Sequence, residues 1–300
     1  MKWKPIFRGP RGIRAGWRFL IFLAIAVSLM AAFPSAVNRI GYKPHPGWHP
    51  VDFLVSDGLG FIALLLAAAA IARIERGRVR DYGLPIRRGA GKFFGQGAAW
   101  GLATVATVAA LMAAFGGFSV SGLALHGRAL ASFALLWAVV MVVLGLFEEF
   151  FFRGYPQQAL ASGMGFWPAA ALISAAFGAL HYFTKPRETV VDAASVALIG
   201  LFLCLTLWRT GDLWFAVGYH AAFDYVALIV LASPNTGMET AGARATGHLL
   251  ETSFHGPAWL TGGDCGLEAS ALMFPVLAAL FLLFSRTHPR LLRRTIPAPY

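Results

Sequence analysis

Charge is scarce in this chain. Of its 300 residues, 13% are Asp, Glu, Lys or Arg and 58% are apolar, where a soluble domain carries roughly 25% charged residues. Too little charge is present to cover a water-exposed surface, and disorder is excluded because disorder needs low hydrophobicity. Acids are rarer still, 14 against 25 bases. Cysteine occurs twice, Cys204 in an apolar run and Cys265 in a polar segment. Neither has a CxxC partner, so no disulfide framework or thiolate zinc site is suggested. HExxH, GxSxG and a glycine-rich phosphate loop are missing too, and nothing supports a serine nucleophile. Regularly alternating strand segments are lacking, which argues against a membrane β-barrel.

What is present is a series of long apolar runs. A membrane span needs about 20 mainly apolar residues. The runs 17–37, 52–72, 93–115, 129–152, 166–183, 190–208, 213–232 and 270–285 meet or approach that length. The expected fold is all-α, a polytopic membrane helix bundle of about eight transmembrane helices. The basic N-terminus before the apolar stretch to Phe33 is read as an uncleaved first span rather than a signal peptide. The net charge of +11 does not point to nucleic acid, because the bases cluster between the apolar runs, as in cytoplasmic loops facing anionic lipid. With both termini cytoplasmic, the N-terminal tail, the segment 73–92, Arg153, Arg209 and the C-terminal tail put 19 of the 25 Lys and Arg inside and 6 outside. The segment 233–269 is then an external loop, with 1–300 a single integral membrane domain, multi-pass, in the inner membrane of a bacterial cell.

Ionisable side chains inside apolar spans are costly and mark functional sites. Glu148, Glu149 and Arg153 end the fourth span, His181 lies late in the fifth, and His220 and Asp224 lie in the seventh. Asp52 and Asp57, at the start of the second, are a lesser case. Glu149 and Arg153 are spaced i,i+4 and share a helix face, so they can pair. Glu148 points about 100° away and has Phe152 at i+4, so its partner must come from another helix. His220 and Asp224 are again i,i+4. Asp224 could hold one ring nitrogen and leave the other for chemistry. Two chemistries fit this inventory. Glu148 and His181 could activate a water, with His220 and Asp224 on the oxyanion or orienting side. Alternatively Glu148, His181 and His220 could hold a divalent metal such as zinc. Helix-rise arithmetic leaves a tension: His181 lies roughly 20 Å and His220 about 10 Å along their spans from the cytoplasmic end. Convergence requires the fifth helix to begin deeper, to tilt or to be re-entrant, and Tyr155–Phe166 could provide an interfacial detour.

Three motifs stand in order on three spans: Glu148-Glu149-Phe-Phe-Phe-Arg153, Phe177-Gly-Ala-Leu-His181 and His220-Ala-Ala-Phe-Asp224. They resemble the EExxxR, FxxxH and HxxxN/D signature of the CAAX protease and bacteriocin-processing (CPBP) family, the type II CAAX prenyl endopeptidase-like intramembrane proteases. The resemblance covers residues 129–232, which it makes the catalytic core. It implies a membrane endopeptidase in which Glu148 activates water with His181 assisting. Glu149 and Arg153 would form the supporting pair, and His220 and Asp224 the oxyanion or metal side. The third motif ends in Asp rather than Asn, which favours an orienting or ligand role for Asp224. The family is described both as metal-dependent and as metal-independent, so the cofactor is a divalent metal or none.

The expected partners are the lipid bilayer and a peptide or membrane-protein substrate, cleaved near the cytoplasmic face, with no nucleic acid. Two other classes use the same residues: a catalytically silent scaffold or immunity protein, and a transporter with a proton or metal relay. Because Glu149→Ala strands Arg153, it should lower thermal stability in detergent more than Glu148→Ala does. Equal melting temperatures for the two variants would contradict the pairing.

Overall fold

The computed structural model describes residues 7–9, 12–86, 90–235 and 247–289. Part of the 233–269 segment, several bases of both tails, and Arg87 and Arg88 fall outside these residues. A two-residue ribbon, β1 (Arg8–Gly9) with β2 (Gly12–Ile13), precedes α1 (Ala15–Arg39) and α2 (Pro50–Glu75). Next come α3 (Ala90–Ala114), β3 (Phe118–Leu123), α4 (Gly127–Arg153), α5 (Tyr155–Met164), α6 (Phe166–Thr184) and α7 (Val190–Thr210). The chain closes with α8 (Trp214–Asp224), β4 (Leu250–Phe254), the short α9 (Ala258–Thr261) and α10 (Met273–Thr287).

Among the described residues, six helical stretches are long and apolar enough to cross a membrane, with α4 and α5 counted as one 38-residue run. The chain is a multi-pass membrane protein. Two of the eight expected spans are shorter apolar helices, Trp214–Val230 and Met273–Thr287. In the first, the α-helical pattern gives way to a π-helical segment at Tyr225–Val230. A small sheet was not expected: β3 and β4 pair antiparallel, Phe118 opposite Phe254 and Leu123 opposite Leu250. Each strand is short, and its partner lies some 130 residues away in the chain, so hydropathy in either segment alone carries no sign of it.

Most of the segment expected as a detour, Tyr155–Met164, is helical. α4 breaks for one residue at Gly154, where a Cβ would sit 2.3 Å from the Phe150 carbonyl oxygen, and helix resumes as α5, with Tyr155 to Leu160 buried. The chain then reverses at Gly165, in the left-handed region at φ 89°, and α6 returns. This reversal removes the depth problem. Glu148 lies 16 residues before Met164 and His181 lies 15 after Phe166, about 24 and 22 Å of helix from the turn. The packing follows the same register. The Phe152 and Phe177 rings meet edge to face at 4.7 Å, and Leu160, Ala169 and Ile173 share their buried cluster.

α8 is held against α3 by backbone-to-backbone approach. A Cβ at Gly97 would lie 2.0 Å from the Phe215 oxygen, at Gly101 2.3 Å from the Tyr219 oxygen, and at Gly218 2.1 Å from the Phe94 oxygen. In lipid, helices associate through such close fitting of small residues rather than through a hydrophobic driving force. The Tyr219 hydroxyl adds a bond to Thr104 Oγ1 at 3.2 Å. This seam fixes the rotation of α8 and therefore the direction of His220. Gly97→Ala should separate α3 from α8 and sharply lower the melting temperature. Gly95→Ala, on the same helix with open space around it, should leave it unchanged or raise it, since Ala favours helix over Gly by about 1 kcal/mol. Similar behaviour of the two variants in a thermal melt would contradict the seam.

Candidate active site

The three motif helices supply one linked set of side chains. Glu149 and Arg153, one turn apart on α4, are both fully buried and pair through Oε1 and Nη1 at 3.2 Å. The same Glu149 oxygen meets His220 Nδ1 at 2.8 Å. Asp224 keeps its expected hold on one ring nitrogen, and Glu149 takes the other, Nδ1, rather than leaving it for chemistry. Asp224 Oδ2 lies 3.3 Å from the other nitrogen, Nε2, and Glu148 Oε2 lies 3.7 Å from it. The physical reason is the seam with α3, which turns α8 so that the imidazole reaches across to α4. His220 therefore has one nitrogen occupied and the other turned to Glu148 and Asp224.

Arg153 needs its own housing. Its guanidinium stacks over the Phe177 ring at 4.5 Å, and a Cβ at Gly200 would lie 2.4 Å from its Nη2, so α7 has to be bare at that point. Buried polar groups flank it: Cys204 Sγ lies 3.2 Å from Gln157 Oε1 and 3.7 Å from Ser174 Oγ. His181 is fixed separately. Its Nδ1 lies 3.0 Å from the Phe177 carbonyl oxygen one turn back. A carbonyl only accepts, so Nδ1 carries the proton and Nε2 keeps a lone pair.

Glu148, His181, His220 and Asp224 line one cavity of about 290 Å³. The side chains of Glu148, His220 and Asp224 are 22, 11 and 15% exposed, against zero for Glu149 and Arg153. Three groups can thus meet a water or substrate, and two are sealed behind them. Lys185 and Glu268 also line the cavity. Sequence reasoning missed both. Lys185 follows the end of α6, and Glu268 stands in the 233–269 segment with only its acidic character as a signal. Trp48 and Phe53, beside the start of α2, form an aromatic wall. Trp48, Lys185 and Glu268 come from connections at the end of the bundle opposite Arg76, where α2 finishes. That far end is closed differently: Glu75 accepts from Arg18 at 2.9 Å, Tyr155 at 2.6 Å and Tyr82 at 3.2 Å.

The candidate metal set Glu148, His181 and His220 shares the cavity but does not close into a ligand cluster. Among the described residues, one group of three His, Cys, Asp or Glu brings its ligand atoms within 4.8 Å of one another, and it lies elsewhere, at His45, His49 and Asp52. As arranged, the cavity residues suit a water held by hydrogen bonds.

Residues 130–226 match the family model described as "Rce1-like: Type II CAAX prenyl endopeptidase Rce1-like". The match contains all seven motif residues. No curated protein and no solved structure matches the chain significantly.

Enclosure by protein pushes the Glu268 carboxyl up to about 7, against the pull of Lys185 and with Asp224 adding to the rise. A carboxyl raised in the folded state holds its proton more tightly than in the unfolded chain, so stability falls as pH rises from about 4.5 to about 7. Glu268→Gln should flatten that decline, losing less melting temperature than the wild type between pH 5 and pH 8. Parallel pH profiles would contradict it.

Proposed function

We propose, with the Rce1-like CAAX prenyl endopeptidase domain at residues 130–226 as premise, that this protein is an intramembrane endopeptidase hydrolysing a peptide or membrane-protein substrate. The single observation that carries the reading is the convergence of Glu148, His181, His220 and Asp224 on one cavity lined from three separate helices. The whole chain acts as one membrane unit of eight spans, with 129–232 as its catalytic core.

The chemistry follows from which atoms are accessible. A water between Glu148 and His181 loses a proton to the Glu148 carboxylate as its oxygen attacks the scissile carbonyl carbon, and His181 Nε2 orients it by accepting its second hydrogen. The carbonyl oxygen becomes an oxyanion facing Nε2–H of a His220 imidazolium, whose two N–H groups face Glu149 at Nδ1 and Asp224 at Nε2. Glu149 holds the opposite ring nitrogen and keeps the Nε2–H aimed into the cavity, while Arg153 keeps Glu149 in place. Glu148 then passes its proton to the leaving nitrogen as the C–N bond breaks. The products are a carboxylic acid and an amine, and Glu148 returns to its starting state. Asp224 orients His220 from the Nε2 side. Its carboxylate is a poor oxyanion donor, which makes a direct catalytic part for it less fitting than for an Asn.

On this reading the cleavage site lies away from the cytoplasmic face. Trp48, Lys185 and Glu268 belong to connections that the positive-inside bias puts outside. With both termini cytoplasmic, the mouth opens to the external side rather than near the cytoplasmic face. In an assay with candidate membrane peptides, Glu148→Gln should lower cleavage about 10²–10⁴-fold, with His220→Ala comparable and Asp224→Asn milder. Right-side-out vesicles should cleave an externally added substrate. Cleavage unaffected by Glu148→Gln would defeat the roles assigned, and cleavage confined to inverted vesicles would reverse the orientation.

A further inference from the structure

The connection between α1 and α2 gathers a second cluster of titratable groups, and nothing in the peptidase reading uses it. It runs Tyr42-Lys-Pro-His45-Pro-Gly-Trp-His49-Pro-Val-Asp52. Gly47, in the left-handed region at φ 72°, folds the segment back, and the two imidazoles stack with centroids 3.7 Å apart and planes at 16°. Asp52, in the first turn of α2, meets them. Its Oδ1 lies 3.1 Å from His45 Nδ1, and its Oδ2 accepts from the His45 backbone N–H at 2.9 Å. The Tyr42 hydroxyl donates to Oδ1 as well. One ligand atom from each of His45, His49 and Asp52 lies within 4.8 Å of the other two. His49 Nδ1 is shielded from solvent and has no hydrogen-bond partner, although a buried polar atom left unpaired is costly.

We propose that His45, His49 and Asp52 bind a divalent transition-metal ion of the zinc class, at a site separate from the cavity. Two imidazole nitrogens and one carboxylate oxygen are the donor set such ions take, with a fourth position left to water. Calcium and magnesium favour oxygen alone. Ligand atoms around tetrahedral zinc stand about 3.4 Å apart, so the cluster closes when the two stacked rings turn out of their parallel arrangement and aim one nitrogen each at a common centre. Tyr42 serves as the outer partner that aims the Asp52 carboxylate, the usual company of a metal ligand. The site bears on the cavity through its neighbours in sequence. Trp48 lies between the two histidines and Phe53 follows Asp52. Both line the cavity and pack against Trp137, with centroids 6.4 and 5.6 Å away. A metal at this point ties the 45–52 segment to the first turn of α2 and holds the aromatic wall over Glu148 and His220.

Full-length protein in detergent, stripped with a chelator and titrated with cobalt(II), gives a direct readout in the visible ligand-field bands, with bound zinc counted by mass spectrometry after desalting. The wild type should bind about one equivalent. The Glu148→Ala/His220→Ala double variant should bind equally well, while His45→Gln should bind at least tenfold more weakly. His45 is exposed, so this substitution should leave the melting temperature of the metal-free protein unchanged. Tyr42→Phe keeps all three ligands and should retain binding with a few-fold loss. No binding by the wild type, wild-type binding by His45→Gln, or loss in the cavity variant instead would each overturn the proposal.

Discussion

A carboxylate with no access to water governs this architecture. Glu149 and Arg153 are both sealed from solvent, and taking two charges out of water costs several kcal/mol each unless their hydrogen bonds are met inside the protein. The bundle meets part of that demand, while Glu149 Oε2 and Arg153 Nε and Nη2 are buried with no hydrogen-bond partner. Arg153 lies across the Phe177 ring in a space that exists because position 200 is glycine. Glu149 spends the same oxygen on Arg153 and on His220. The pair therefore ties α4 to α6, α7 and α8 at once, and a charge that would be a liability elsewhere becomes the fixed point from which the His220 ring is aimed.

Two further constraints carry that aim into the cavity. The glycine seam between α3 and α8 fixes the rotation of the helix bearing His220, because backbone oxygens occupy the places where side chains would otherwise stand. The reversal at Gly165 fixes depth. By running helix for ten residues beyond Gly154 and turning back, the chain returns His181 to the level of Glu148. Helix ends make poor guides to membrane depth when a helix is interrupted but not ended, as α4 is.

The division between sealed and accessible groups is sharp. Glu149 and Arg153 are closed off from solvent, while Glu148, His181, His220 and Asp224 face one cavity. Lys185 and Glu268 join that space from connecting segments, and Trp48 and Phe53 bound it from the start of α2. The aromatic wall shares its short stretch of chain with the His45, His49 and Asp52 cluster. Whatever orders that stretch therefore also orders one side of the cavity.

Much of this was legible along the chain because it is local. Apolar runs of span length, the i,i+4 spacing of Glu149 with Arg153 and of His220 with Asp224, and the order of the three motifs all follow from helix periodicity, and the structure keeps them. What the spacing could not reveal was which partner each group takes across helices. Glu149 meets His220 from 71 residues away, a contact set by the rotation of α8 in its glycine seam. Glu268 reaches the cavity from a loop whose own residues do not say where it folds. The β3–β4 pair and the level of His181 have the same origin. Short-range geometry is written in residue spacing. Depth, rotation and the closing of loops over a cavity depend on the packing of distant segments, and only the tertiary structure decided them.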